Sequence, residues 1–208
     1  MATITALERQ KRRPDRVSVF VDGAFAVGLS AAAASDLGLE IGRELAEDEL
    51  RRMAFAAEVD RAYARALRYW RNRLRSRHEL EQRLRRYGYD VAVVAGTVEL
   101  LAAGGLVDDR AFAGAWVRDR VRLKPKGRRA LRVELAAKGV AREDVEAALA
   151  ENVDEGEEAL AKRALAPRLE TLRDKGERKG RAAAMSFLAR RGFNADLARR
   201  LADELFST

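Results

Sequence analysis

The chain has 208 residues, 48% of them apolar and 36% charged, with no cysteine and a single histidine. That length allows one domain or a few small modules with cores of their own, while the missing thiols exclude a disulfide framework, a cysteine nucleophile and a cysteine zinc site. The formal net charge of +8 and a pI near 10.2 point to an acidic or nucleic-acid partner.

Mean hydropathy is −0.36, and no apolar run approaches the roughly 18 residues of a membrane span. Residues 1–10 are only partly apolar, and Lys11, Arg12 and Arg13 follow them, the wrong order for a secretory signal. We therefore expect a soluble, cytoplasmic, monomeric protein with no membrane partner and no cofactor. Three prolines in the chain and the dominance of Ala, Leu, Arg and Glu favour long helices.

In chain order, the first signal is a β-hairpin. Val17, Val19 and Val21 alternate with Ser18 and Phe20; Asp22-Gly23 follows, then Phe25, Val27 and Leu29 alternate again. A two-residue turn would pair Phe20 with Phe25 and put Val27 on the face opposite the valines. A looser turn or bulge pairing Val21 with Phe25 gathers all six apolar residues on one face, and this is the preferred register. Such a hairpin must pack on helices, and short helices are expected at about 31–37 and 47–57.

From about residue 60 the apolar period is helical: Tyr63, Leu67, Trp70 and Leu74; then Leu80, Leu84 and Tyr87; then Val91, Val94, Val98 and Leu101. Gly88, Gly139 and Gly192 fall 51 and 53 residues apart. Leu84, Leu135 and Leu188 lie four positions before them, and Ser76, Gly127 and Gly180 twelve before. This spacing predicts three helices that end at a left-handed glycine, each followed by another helix, with Asp90 and Asn194 as N-caps. The expected fold is mainly α: three tandem three-helix repeats at 59–107, 108–153 and 154–208 forming an elongated array, after a small hairpin and short-helix module at 1–58.

The hairpin with Asp22-Gly23, the strings Leu-Arg-Ser-Arg-His-Glu-Leu (74–80), Tyr-Gly-Tyr (87–89), Gly-Leu-Val-Asp-Asp-Arg-Ala-Phe-Ala (105–113), Lys-Gly-Val (138–140) and Leu-Ala-Arg-Arg-Gly-Phe (188–193) together resemble the RecX family, over nearly the whole chain. The resemblance implies a bacterial regulator of tandem three-helix repeats. Such a regulator binds the RecA recombinase filament in its groove and inhibits filament assembly, ATP hydrolysis and strand exchange. It implies no catalytic residues, and the hairpin module is not present in every member.

Charge is concentrated in residues 61–150, which carry 21 basic and 11 acidic residues. The corner between the first and second helix of each expected repeat is basic: Arg71, Arg73, Arg75 and Arg77 in the first; Arg118, Arg120, Arg122, Lys124, Lys126, Arg128 and Arg129 in the second; Arg173, Lys175, Arg178, Lys179 and Arg181 in the third. A solvated polar corner is the plain reading of any one of these. The second set packs seven cations into twelve residues against Asp119 alone, so it is read as a contact surface for phosphates or acidic protein patches, with the Lys124-Pro125-Lys126-Gly127 loop foremost. The expected filament- or DNA-binding residues are Arg71, Arg73, Arg75, Arg77, Arg118, Arg122, Lys124, Lys126, Arg128, Arg129, Arg178, Lys179 and Arg181.

Trp70 and Trp116 could stack on bases, but their helical spacing with leucine and valine favours core packing. Asp108-Asp109 precedes an apolar-periodic helix and reads as a cap rather than a metal pair. His78 reads as a surface residue. Arg85-Arg86 and Arg190-Arg191 either contact a partner or complement helix ends. No phosphate-binding loop or placed acid pair suggests an enzyme. Two readings stay open: a regulator of a nucleoprotein filament, and a general basic DNA-binding module.

Overall fold

A computed structural model describes residues 1–153 and 156–207. The chain divides into two compact units, residues 1–74 with 80–107, and residues 75–79 with 108–208. No helix among the described residues is long and apolar enough to cross a membrane.

The first unit opens with an antiparallel sheet of β1 (Ala2–Gln10), β2 (Arg13–Val21), β3 (Ala24–Ser30) and β4 (Glu44–Leu45), in the order β3-β2-β1-β4. The sequence reading missed β1. Its alternation is broken by a bulge between Ile4 and Ala6, and Ile4 alone in it is buried. The hairpin register also needs correction. Asp22 and Gly23 both have positive φ (51° and 83°), the tight two-residue turn, so Phe20 pairs with Phe25 and Val21 with Ala24. The slip comes one step later, at a bulge that pairs Val19 with Val27 and Val17 with Leu29. Val19 and Leu29 are thereby buried, while Phe25 stays 59% exposed, edge-on to Phe20 at 5.9 Å. Two side-chain bonds stitch the turn to β1: Thr3 N–H donates to Asp22 Oδ1 (2.8 Å) and Gly23 N–H to Thr5 Oγ (2.9 Å).

Helix α1 (Ala31–Asp36) is capped by Ser30, whose hydroxyl accepts from Ala33 N–H. Helix α2 (Glu47–Trp70) runs unbroken for 24 residues. The short helix expected over 47–57 is its first half, because neither Gly nor Pro interrupts the segment. Residues 58 and 59 are thus neighbours inside one helix. The Glu49 carboxylate accepts from Ala46 N–H, and three acids occupy the first turn, favouring the positive end of the helix dipole.

One helix therefore serves two cores. Met53 and Ala57 pack with Ile4, Val19, Leu29, Ala34 and Leu45. Val59, Ala62 and Ala66 pack with Leu80 and Leu84 of α3 (Arg77–Arg86) and with Val93, Val94, Val98 and Leu101 of α4 (Val91–Ala103). Leu74, Tyr87 and Val91 leave the expected stripes and are exposed. Leu74 and Tyr87 lie beyond the ends of their helices, and Val91 opens the first turn of its own.

The second unit holds α5 (Asp109–Leu123), α6 (Arg128–Ala136) and α7 (Arg142–Asn152), then α8 (Glu157–Leu165), a 3₁₀ turn (Ala166–Arg168), α9 (Leu169–Arg173), α10 (Glu177–Arg190) and α11 (Ala195–Glu204). The expected start of the third repeat at residue 154 lies outside the described residues. Its first helix is split into α8 and α9 at Pro167, which has no N–H to continue the ladder. One continuous core runs through the unit, from Phe112 and Leu131 to Leu188 and Leu201. The mainly helical class, with three-helix groups after a small strand module, is what the structure shows.

The glycine register holds in detail. Gly88, Gly139 and Gly192 have φ of 84°, 74° and 81°. In each case the next residue's N–H reaches back to the leucine carbonyl: Tyr89 to Leu84, Val140 to Leu135, Phe193 to Leu188. This is the Schellman closure, and the three leucines are buried. Asp90 and Asn194 cap the helices that follow, as their spacing predicts.

Candidate interaction surface

Within the second unit the helix corners are first of all joints. Ser76 is fully buried, accepts from Glu79 N–H (3.2 Å) and donates its hydroxyl to Lys138 O (2.7 Å). Arg77 N–H donates to Asp109 Oδ1 (2.8 Å), and Lys138 Nζ pairs with Glu79 Oε1 (2.5 Å). One repeat later Gly127 N–H donates to Arg191 O (2.9 Å), and the Arg191 guanidinium donates to Pro125 O (3.0 Å). The residue twelve positions before one repeat's glycine thus bonds the carbonyl just before the next repeat's glycine, in both cases.

Contact at these joints is close. A Cβ on Gly192 would lie 2.4 Å from Ala130 N, and one on Gly127 would lie 2.4 Å from Gly192 O. His78, expected at the surface, is half-buried: its Cβ lies 2.4 Å from where a Cβ of Gly139 would sit.

Asp108 caps α5 by accepting from Ala111 N–H (2.9 Å), as expected. Burial pushes the Asp109 carboxyl above its usual range, only partly opposed by the Arg77 amide and charge. Its role is to cap the start of α3 from outside that helix.

The crowding of cations over 118–129 is relieved in part internally, by groups the sequence reading did not connect. Glu134 accepts from Trp116 Nε1 (2.9 Å) and Arg120 Nε (3.0 Å) through one oxygen, and from Lys126 through the other. Burial raises the Glu134 pKa, but the bonds from Lys126 and Trp116 and the Lys126 charge outweigh it and hold it below its usual value. Trp116 packs 5.8 Å from Phe112, with Arg120 and Lys138 4.0 and 5.2 Å from its ring centre. It is a core-edge residue rather than an open stacking platform.

The thirteen sequence-predicted contact residues therefore separate. Arg118 donates to Asn152 Oδ1, Arg128 to Val153 O and Arg73 to Leu74 O; Lys126 pairs with Glu134, and Arg181 with Glu177 and Asp203. Arg75 and Arg77 also have partners. Arg71, Arg122, Lys124, Arg129, Arg178 and Lys179 are exposed, and their side chains have no ion-pair or hydrogen-bond partner among the described residues. Arg71 belongs to the first unit and the other five to the second.

Sequence reasoning passed over Arg13, Arg16, Arg61, Arg65 and Arg68, which line one concavity of the first unit. The available signal was the 61/65/68 spacing, which puts three arginines on one helix face.

Fold and surface together define a class: a basic protein of tandem three-helix domains behind a small strand module, with free cations near its inter-helix links. Comparison with known proteins makes this specific. The RecX N-terminal domain matches residues 2–46, the first RecX three-helix domain residues 62–101, and the second residues 108–149. Regulatory protein RecX of Geobacillus kaustophilus is 31% identical over 197 residues, 93% of this chain and 73% of that protein. Regulatory protein RecX of a Mycobacterium species is 40% identical over 144 residues, 67% of this chain and 78% of that one. A crystal structure of a regulatory protein RecX superposes with a TM-score of 0.81 at 26% identity, covering 98% of this chain and all of that one. The chain belongs to the RecX family of regulatory proteins.

Proposed function

We propose that this chain is a cytoplasmic negative regulator of the RecA recombinase in DNA repair and recombination. It binds the RecA–DNA filament along its groove and inhibits filament growth, ATP hydrolysis and strand exchange. Membership of the regulatory RecX family over nearly the whole chain carries the reading. The cations without internal partners support it: they are free to meet phosphates or acidic patches, whereas Lys126 and Arg128 hold the fold. Contacts spread over several helix links act together through effective concentration, so weak individual contacts suffice.

The test is RecA ATP hydrolysis on excess single-stranded DNA with this protein titrated in. Inhibition at protein levels far below RecA is the expected result. An unchanged rate alongside retained DNA binding would transfer the assignment to a general DNA-binding module.

A further inference from the structure

The start of β2 and one face of α2 bring five guanidinium groups to a single concavity of about 270 Å³ in the first unit. Arg13 and Arg16 come from the start of β2, and Arg61, Arg65 and Arg68 from successive turns of α2. Ala64 and Tyr89 complete the wall, and no carboxylate is among the lining residues.

Two of the five are fixed by the fold. Arg16 pairs with Asp60 at 2.5 Å and donates to Gly28 O, and Arg65 lies 4.4 Å from the centre of the Tyr87 ring. Arg61 has a loose contact with Glu58 at 3.6 Å. Arg13 and Arg68 are exposed, and their side chains have no partner among the described residues. A concavity with fixed cations in its wall and free cations beside them is already shaped for an anion, and the mutual repulsion of the five charges falls when one enters.

The residue type narrows the anion. Guanidinium forks hold phosphate oxygens in a bidentate manner, and Tyr89 adds a phenol. Beside the basin, Arg83 lies 4.8 Å from the Tyr87 ring centre and 5.2 Å from that of Tyr69, so the rim adds further positive charge held against aromatic rings. A concavity of about 270 Å³ is on the scale of the phosphates of one strand rather than of a duplex.

We infer that the basin formed by Arg13, Arg16, Arg61, Arg65 and Arg68 binds the phosphodiester backbone of a single nucleic-acid strand. These arginines are distinct from the helix-corner cations, and the inference stands apart from the regulator reading because no recombinase is needed to test it.

The experiment titrates the full chain against a labelled oligodeoxythymidylate at several salt concentrations. The variant Arg13→Gln/Arg61→Gln/Arg68→Gln is compared with a charge-matched control, Arg142→Gln/Arg199→Gln/Arg200→Gln. The basin variant is expected to lose about tenfold in affinity and to flatten the log–log salt slope by about 2, at roughly 0.7 per phosphate contact on a single strand. The control is expected to change little. Equal losses in both variants would mean a delocalised charge effect and would overturn the inference, as would an unchanged basin variant.

Inorganic phosphate at matched ionic strength forms a second arm. Displacement of the strand by phosphate but not by chloride is expected of a shared phosphate site, whereas inorganic phosphate binding as tightly as the whole strand would reassign the basin to free phosphate. Phenylglyoxal footprinting of the wild type covers the case of a poorly folded variant. Protection of Arg13, Arg61 and Arg68 by the strand is expected, and no protection would refute the site.

Discussion

Single residues in this chain divide by what answers their charge. Glu134 is the clearest case, since one carboxylate collects Trp116, Arg120 and Lys126. Its folded pKa lies below the usual 4.5, so its stabilising contribution is fully present above that value and is lost as pH falls through the lower folded value. Glu134→Gln should cost about 2 kcal/mol at pH 7, in the range of charge-assisted hydrogen bonds. The gap from wild type should close as the pH drops well below 4.5. Chemical denaturation across pH checks this, and a gap that is constant down to pH 3 would refute it. Glycines offer a second comparison. Gly88 and Gly192 share a left-handed φ, but a Cβ at Gly88 meets nothing within 4 Å while one at Gly192 strikes the Ala130 backbone. Gly88→Ala should therefore show only the conformational cost of about 1–2 kcal/mol, and Gly192→Ala about 2 kcal/mol more from overpacking. Equal losses in thermal melts would show that the joint yields.

At the scale of elements, legibility followed the range of the information. The three Schellman closures could be read because the glycine, its buried leucine and the apolar residue after it lie within six positions of one another. The N-caps at Asp90, Asp108 and Asn194 are equally local. Strand β1 could not be read, because its bulge breaks the period-two pattern and β2 and β4 complete its pairing from elsewhere in the chain. The extent of α2 was concealed by its two duties: it meets the sheet with one half and α3 and α4 with the other, so no single apolar stripe marks its length. Side-chain pairs of long range were invisible for the same reason. Arg16 ties β2 to Asp60 of α2 across 44 positions, with both side chains nearly buried, and also holds Gly28 O of β3. Arg16→Met should cost about 3 kcal/mol because it strands a nearly buried carboxylate. Adding Asp60→Leu should recover part of that loss. A double-mutant cycle by urea denaturation measures the coupling, and additive losses would mean that the pair is solvated in practice.

Across the whole molecule, the net charge of +8 overstates what is free to act on a partner. The corner sequences look like one continuous contact surface, yet much of their charge closes joints between helices, as Lys126 on Glu134 and Arg128 on Val153 O do. The candidate surface was legible as a set of corners but not residue by residue, because internal acceptors such as Glu134 and Asn152 stand far from the cations in sequence. This division predicts two kinds of variant. Lys126→Gln should lower the melting temperature more than it weakens inhibition of RecA ATP hydrolysis. The sets Arg122→Gln/Lys124→Gln/Arg129→Gln and Arg178→Gln/Lys179→Gln should leave the melting temperature within about 2 °C, since exposed unpaired charges contribute little to stability. Each set should raise the half-inhibitory concentration, by about tenfold for the first, and each phosphate contact removed should flatten the salt dependence by roughly 0.7–0.9 in log–log slope. Combining the sets decides how the repeats act. If both lie against one filament at once, their free-energy losses add, so the fold-changes multiply. If the combination is no worse than the first set alone, the second repeat carries the contact and the third repeat only supports it.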